Sequence, residues 1–141
     1  MRTQQLISGD SHLEISPDRW RSYVDSEHRQ FVPTVVKLDD GGDAWKMPNS
    51  EDLIPLGINY SAGRGWENLR TSGISYSENP PGSGDATQRL SEMDRDGVYA
   101  EVLFPAIAGQ RGLDSCALPS EAYVALARGY NDWLSQEYTA E

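Results

Sequence analysis

The sequence contains little cysteine, little positive charge and no long hydrophobic segment. Its single cysteine, Cys116, cannot form a disulfide within the chain, which is typical of a protein in a reducing compartment. No hydrophobic segment has the length of a signal peptide or of a membrane span. Only 12 lysine and arginine residues stand against 22 aspartate and glutamate residues, and the net charge of -10 repels phosphate backbones and anionic lipids. We therefore expect a cytoplasmic protein that binds neither nucleic acid nor a membrane.

The chain does contain enough apolar material for one modest core. Its 141 residues are 38% hydrophobic and include 4 tryptophans and 7 tyrosines, which is sufficient for one ordinary domain. The 13 glycines and 8 prolines indicate that much of the chain forms loops. The sequence therefore predicts a single domain over residues 1–141.

Two segments have the pattern of buried parallel β-strands. The first begins with the apolar Leu6 and Ile7 and becomes polar towards His12, as a strand does when its carboxyl end opens onto a site. The second covers residues 98–105 and stops at Pro105, which cannot donate a hydrogen bond to a sheet. Because a helix comes directly before this second strand, we expect a right-handed crossover connection.

Three helices are indicated by their capping residues. Ser16 and Pro17 start a short first helix, and a capping box at residues 85–88 starts a second, which Gly97 can end in a left-handed conformation. Pro119 opens the third, which continues to about Thr139 with apolar residues at steps of three and four.

The segment between the first two helices is mostly turn and loop. Residues 35–38 and 44–47 flank a run of aspartates and glycines, which predicts a β-hairpin. Residues 48–84 have no sustained period and indicate a long irregular insertion that lines a site or an interface. The order is a first strand (1–14), then a helix, hairpin and loop insertion (15–84), then a helix, second strand and helix (85–141), which defines an α/β protein.

Asp10 and His12 are the best candidates for metal ligands. They lie two positions apart on the first predicted strand, so both side chains leave the same face and can converge on one point. Imidazole and carboxylate together suit zinc, manganese or iron. A motif of only two residues also occurs without a metal. The alternative interpretation is that Asp10 caps a helix and that His12 is a hydrogen-bonded structural histidine.

Several blocks, in the same order, resemble the amidohydrolase-related family of metal-dependent hydrolases and decarboxylases, and they span nearly the whole chain. The blocks are Ser8-Gly9-Asp10-Ser11-His12, Pro17-Asp18-Arg19-Trp20, Asp39-Asp40-Gly41-Gly42-Asp43-Ala44-Trp45, Arg89-Leu90-Ser91-Glu92-Met93-Asp94-Arg95-Asp96-Gly97-Val98, Ala100-Glu101-Val102-Leu103-Phe104-Pro105 and Tyr130-Asn131-Asp132-Trp133-Leu134. The block around Met93 is the most specific of them.

This resemblance implies a fold and a set of site residues. The chain is expected to form the amino-terminal part of a TIM (β/α)8 barrel, about two βα units with an inserted hairpin and long loop. In that family the first strand carries the metal ligands His-x-His or Asp/Glu-x-His, which correspond to Asp10 and His12. Relatives also carry a glutamate next to a proline pair. Glu14 is the matching candidate for an acid-base catalytic role, although only the single Pro17 follows it.

Three further residues are candidates for substrate binding. Phe104 lies at the carboxyl end of the second predicted strand, and Arg64 and Trp66 lie in the glycine-rich insertion, from which they can reach over a site. Ordinary packing is the alternative interpretation of each. His28, the other histidine, is expected at an exposed helix end without a metal.

The resemblance also implies a partner. A TIM barrel needs about 200 residues and eight strands, whereas this chain supplies two, so a second polypeptide is expected to provide the remaining strands in a hetero-oligomer. The chain would then be a small subunit or amino-terminal fragment of a metal-dependent enzyme, inactive alone. The enzyme would cleave a C–N or C–O bond or decarboxylate a small organic acid without oxidation. A truncated product or a re-purposed small domain are alternatives.

A hypothesis of a different class is a non-catalytic module derived from the same fold. It would use the barrel-opening surface to bind or stabilise a partner, and Asp10 and His12 would be structural remnants. Disrupting Tyr130 or Trp133 would then abolish the association.

Overall fold

The computed structural model describes residues 5–57, 60, 65–78, 83–106, 113–114 and 116–139. In this part of the chain the elements follow the order strand, helix, three strands, helix, strand and helix. Their bounds are β1 Leu6–Leu13, α1 Pro17–Ser22, β2 Thr34–Lys37, β3 Asp43–Lys46, β4 Leu53–Pro55, α2 Ala86–Asp96, β5 Val98–Pro105 and α3 Ser120–Trp133. A π-helical segment, Leu134–Tyr138, continues α3.

The described strands form two separate sheets. β1 and β5 pair in parallel, with His12 opposite Phe104 and Leu13 opposite Pro105. β2, β3 and β4 form an antiparallel sheet in which β3 is central, with Val35 opposite Trp45. The parallel pairing of the two predicted strands and the predicted hairpin are therefore both observed.

The predicted fold class, the amino-terminal part of a TIM barrel with two βα units, is wrong. A barrel is one continuous parallel sheet, whereas three of the five described strands lie in a separate antiparallel sheet. The predicted hairpin gains a third strand, β4, because Ile54 pairs with Trp45. The insertion at residues 48–84 therefore contains a strand and short 3-10 turns at Trp66–Asn68 and Tyr76–Glu78 rather than irregular loop alone.

The helix ends follow the local sequence signals. Ser16 caps α1 by accepting a hydrogen bond from the Arg19 amide, and Asp85 caps α2 by accepting one from the Gln88 amide at 2.7 Å. Gly97 ends α2 with a φ of 71°, the left-handed conformation that glycine adopts without steric cost. The sequence places these boundaries correctly because each cap is a local interaction.

The core lies between α1, α3 and the three-stranded sheet. Trp20 on α1 is 1% exposed and donates its indole N–H to the carbonyl of Leu126 on α3 at 2.9 Å. The buried cluster comprises Leu13, Ile15, Trp20, Val24, Val32, Trp45, Met47, Leu56, Tyr60, Ile74, Leu113, Leu126, Tyr130, Trp133 and Tyr138. Tyr130 and Trp133 belong to this cluster, so disrupting either would act on the core of the chain.

β1 and β5 are much less buried than their sequences predict. Leu6 and Ile7 are 57% and 61% exposed, and Tyr99 is 65% exposed. The expectation of two buried strands is therefore wrong for these exposed positions. None of the helices in this part of the chain is long and apolar enough to cross a membrane.

Candidate functional site

One face of the β1–β5 sheet is held by a polar network beneath helix α2. Arg89 on α2 forms an ion pair with Glu101 on β5 at 2.6 Å, and both side chains are largely buried, at 16% and 11% exposed. Glu101 also accepts a hydrogen bond from the Ser11 hydroxyl at 3.0 Å. Arg89 further donates to the carbonyl of His12 at 3.3 Å. This network fixes the backbone of β1 on both sides of Ser11.

A β-bulge determines which side chains of β1 join that network. Ser8 pairs with Glu101 and Ser11 pairs with Leu103, so three residue positions along β1 correspond to two along β5. β1 therefore contains one extra residue at this point. The extra residue brings the hydroxyls of Ser8 and Ser11 within 2.8 Å of each other. Because side chains alternate along a strand, Asp10 and His12 then leave the opposite face from Ser11.

Asp10 and His12 converge as the sequence predicts. Asp10 Oδ1 lies 4.0 Å from His12 Nε2, and the two side chains are 80% and 55% exposed. Next to them, on β5, Phe104 lies opposite His12 in the sheet, and the two ring centroids are 6.2 Å apart. The predicted substrate-binding residue Phe104 therefore does lie beside the candidate metal ligands.

The pair can supply part of a coordination sphere. A tetrahedral ion with bonds of about 2.1 Å holds its ligand atoms about 3.4 Å apart, so a small side-chain rotation from 4.0 Å brings both atoms into ligand positions. In the described residues, no group of three or more His, Cys, Asp and Glu side chains is placed to hold a metal. The described residues therefore place two ligand side chains at this position, Asp10 and His12, and no third.

The face that carries the pair is otherwise apolar and accessible. Val102 and Phe104 alternate with the inward-facing Glu101 and Leu103, and they are 48% and 44% exposed. We call the surface formed by Asp10, His12, Val102 and Phe104 the open face. Helix α2 covers the other side of this sheet through Arg89, so the open face is the side that the helix leaves accessible.

The two remaining substrate-binding candidates do not join the open face in the described structure. The Trp66 side chain is 89% exposed. Within the described residues, its ring does not contact the ring of His12 or of Phe104. Arg64 lies outside the described residues. His28, expected at an exposed helix end, is instead half-buried at the start of a 3-10 turn, and its Nδ1 has no hydrogen-bond partner among the described residues.

Glu14, the candidate acid-base residue, lies in a different environment. Its side chain is 7% exposed, and its Oε2 accepts a hydrogen bond from the Tyr60 hydroxyl at 2.9 Å. The Tyr60 hydroxyl in turn accepts one from the Trp45 indole N–H at 3.1 Å. Burial raises the pKa of Glu14 to about 7, and the hydrogen bond from Tyr60 acts in the opposite direction.

A pocket of about 560 Å³ opens beside Glu14. Its walls come from the end of β1, from α1, from the amino terminus of α2 and from the π-helical segment. The lining residues that carry charge or aromatic rings are Glu14, Arg19, Tyr76, Asp85, Trp133, Glu137 and Tyr138. The sequence gives no signal for this pocket, because its lining residues run from Glu14 to Tyr138, almost the whole length of the chain.

Comparison with known proteins adds no family assignment. No protein-family profile matches the chain, and no curated protein is significantly similar to it.

Proposed function

We propose that this chain contributes Asp10 and His12 to a divalent metal site that a partner polypeptide completes. The assembled protein would be a metal-dependent enzyme similar to the amidohydrolase-related family. It would hydrolyse a C–N or C–O bond, or decarboxylate a small organic acid without oxidation. The chain would be a subunit or an amino-terminal part of that enzyme and would not be active alone.

The convergence of Asp10 Oδ1 and His12 Nε2 at 4.0 Å on an exposed surface carries this proposal. A structural histidine is usually buried or held by a neighbouring group, whereas His12 is 55% exposed. The backbone beneath it is fixed by the ion pair of Arg89 with Glu101. A fixed strand with two exposed ligand side chains is suited to hold a metal ion.

Zinc is the favoured ion because a carboxylate and an imidazole are common zinc ligands, while manganese and iron accept the same pair. When bound, such an ion supplies Lewis acidity for activating water or for polarising a carboxylate or carbonyl. The chain's own contribution is to hold Asp10 and His12 in place, and Phe104 would limit access of water to the side of His12. A small-molecule substrate would bind between the open face and the partner.

The test uses the fact that the chain has two histidines. We would label the histidine side chains with ¹⁵N, add Zn²⁺ to the full chain and follow both imidazoles by NMR. The expected result is a saturable shift of the His12 resonances, with the His28 resonances unchanged. Asp10→Ala should weaken the zinc affinity at least tenfold, because one of the two ligands is lost.

His28→Ala is the matched control, since it removes the other histidine without touching the open face. Equal responses of both histidines, or a zinc affinity that Asp10→Ala leaves unchanged, would refute the proposal. Circular dichroism of each variant checks that the chain is still folded.

One specific observation favours the alternative that the chain is a non-catalytic binding module. The open face exposes Val102 and Phe104, and Ile7 and Tyr99 are exposed further along the same two strands, which gives this sheet exposed apolar side chains of the kind that protein partners cover. If the chain is a binding module, Val102→Ser with Phe104→Ser abolishes association with the partner isolated from the natural source, while Asp10→Asn with His12→Asn leaves association intact. If it is an enzyme component, the second pair also abolishes the activity of the complex.

A further inference from the structure

The pocket beside Glu14 contains a buried carboxyl group for which the described residues provide no cation. Glu14 is 7% exposed, and its Oε2 accepts the hydrogen bond from Tyr60. No lysine or arginine in the described part of the chain forms an ion pair with it. Buried carboxylates are normally paired with a cation or hydrogen-bonded at both oxygens, so Glu14 retains the capacity to accept from a ligand.

The arginine that lines the pocket is already engaged. Arg19 approaches Glu137 Oε2 through both Nε and a terminal nitrogen at 2.5 Å, and the Tyr23 hydroxyl also donates to Glu137. Asp85, on the far wall, is committed to capping α2 through the Gln88 amide. The charged groups around the pocket therefore satisfy one another, and Glu14 is the exception.

Three aromatic side chains, Tyr76, Trp133 and Tyr138, line the pocket together with Glu14, and mostly small or polar residues form the rest of its walls. Aromatic side chains beside a carboxylate favour an organic cation, because the ring faces attract positive charge and the alkyl part of such a cation packs against the rings. A volume of 560 Å³ lies in the range of pockets that hold small molecules.

The backbone at one wall also departs from regular structure. Leu134–Tyr138 is π-helical, and this segment positions Glu137 and Tyr138 against the pocket. A π-helical turn costs hydrogen-bond geometry relative to an α-helix, and such turns occur often at functional sites. The π-helical turn is therefore a second feature of this pocket, independent of charge, that is typical of ligand sites.

We propose that this pocket binds a small organic cation, an alkylammonium compound, with its charged group against the Glu14 carboxylate and its alkyl part against the aromatic walls. Neither Asp10 nor His12 lines the pocket. The proposal is therefore separate from the metal site, and either one can fail without the other.

The test compares n-butylammonium chloride with n-butanol, which has the same alkyl chain but no charge. Each is added to the ¹⁵N-labelled full chain at pH 8, with sodium chloride added to keep the ionic strength constant, and amide shifts are followed by NMR. We expect saturable shifts at Ile15, Thr87 and Glu137 with butylammonium, and binding of butanol at least tenfold weaker.

Glu14→Gln keeps the shape of the side chain and removes its charge, and it should weaken butylammonium binding at least tenfold. Glu121→Gln, at an exposed position on α3, is the matched control and should leave binding unchanged. Equal affinities for butanol and butylammonium, an unchanged affinity in Glu14→Gln, or shifts confined to other parts of the surface would each overturn the proposal. If Glu14→Gln does not fold, the comparison of the two probes on the unaltered chain still decides the matter.

Discussion

The hydroxyl of Tyr60 donates a 2.9 Å hydrogen bond to Glu14 Oε2, although the two residues are 46 positions apart in the sequence. The bond joins the end of β1 to the insertion that carries the antiparallel sheet. It places an acidic group inside the protein, and the charge on that group has consequences for stability.

Stability should fall as the pH rises through the range in which Glu14 ionises. Burial raises the pKa of Glu14 from 4.5 to about 7 in the folded chain. The folded state therefore holds a proton that the unfolded state releases above pH 4.5, and the resulting loss of stability grows until about pH 7. The shift corresponds to at most about 3 kcal/mol at pH 8.

Glu14→Gln should remove this dependence and unfold at higher urea concentration than the unaltered chain at pH 8. Urea unfolding, followed by tryptophan fluorescence at several pH values between 4.5 and 8 with a chelator present, measures the effect. Glu121→Gln is the exposed control. Parallel pH profiles for the chain with and without Glu14→Gln would contradict the expectation.

Breaking the ion pair beneath β1 should be costly. The Arg89 Nε and Glu101 Oε2 atoms are 2.6 Å apart and both side chains are largely buried, so Glu101→Leu removes the carboxylate that balances the guanidinium charge and should lower the free energy of unfolding by about 2–4 kcal/mol. Arg89→Met combined with Glu101→Leu should cost less than the sum of the single changes. Arg95 and Asp96 form an exposed pair at 2.8 Å and serve as the control, for which we expect no measurable coupling. Additive losses at Arg89 and Glu101 would show that the pair contributes little.

Gly129→Ala tests the close contact of α1 with α3. A methyl group at Gly129 would lie 2.8 Å from Val24 Cγ2 and 3.0 Å from the carbonyl oxygen of Tyr23. Alanine is the better helix former by about 1 kcal/mol, but Val24 is 2% exposed and has little room to move. The steric clash should outweigh the gain in helix propensity, and the free energy of unfolding should fall by about 1–2 kcal/mol. Adding Val24→Ala should recover part of the loss, and a stabilised single variant would disprove the contact.

The hydrogen bond that Asp43 accepts from the Tyr76 amide should contribute more to stability than its ion pair with Lys37. Its carboxylate accepts a 2.7 Å hydrogen bond from the Tyr76 amide and binds Lys37 at 2.7 Å, and these groups hold its pKa below the usual value. Asp43→Ala leaves the Tyr76 amide unpaired and should cost about 1–3 kcal/mol at pH 7. This contribution to stability is lost as the pH falls through the lowered pKa of Asp43.

Lys37→Ala is the control, and it should lower the free energy of unfolding much less because the lysine side chain is 71% exposed. Similar losses for the two variants would assign the effect to the ion pair instead.

The sequence predicts the elements whose signals are local. Asp85 and Gly97 mark the two ends of α2 because a helix cap involves neighbouring residues. The convergence of Asp10 and His12 follows from strand alternation, and it is observed at 4.0 Å.

The features that the sequence did not predict depend on pairing between residues that are far apart in the chain. β4 has three residues and ends in Pro55, and it is a strand because these three residues pair with Ala44, Trp45 and Lys46 of β3. The hydrogen bond between Tyr60 and Glu14 likewise has no local signature. The proposed barrel fragment assumed that the two parallel strands belong to one continuing sheet, whereas the residues between them build a second sheet.

The register shift between Ser8 and Ser11 separates two roles along one short strand. Ser8 lies three positions before Ser11, so strict alternation would turn its hydroxyl to the side of Asp10 and His12, and the extra residue of the bulge is what keeps the two hydroxyls together. Deleting Gly9 would leave Ser8 two positions before Ser11, so a regular strand would then hold both hydroxyls on one face without a bulge. An insertion beside Gly9 would instead move Ser8, Ile7 and Leu6 to the opposite sides, although it touches none of their partners.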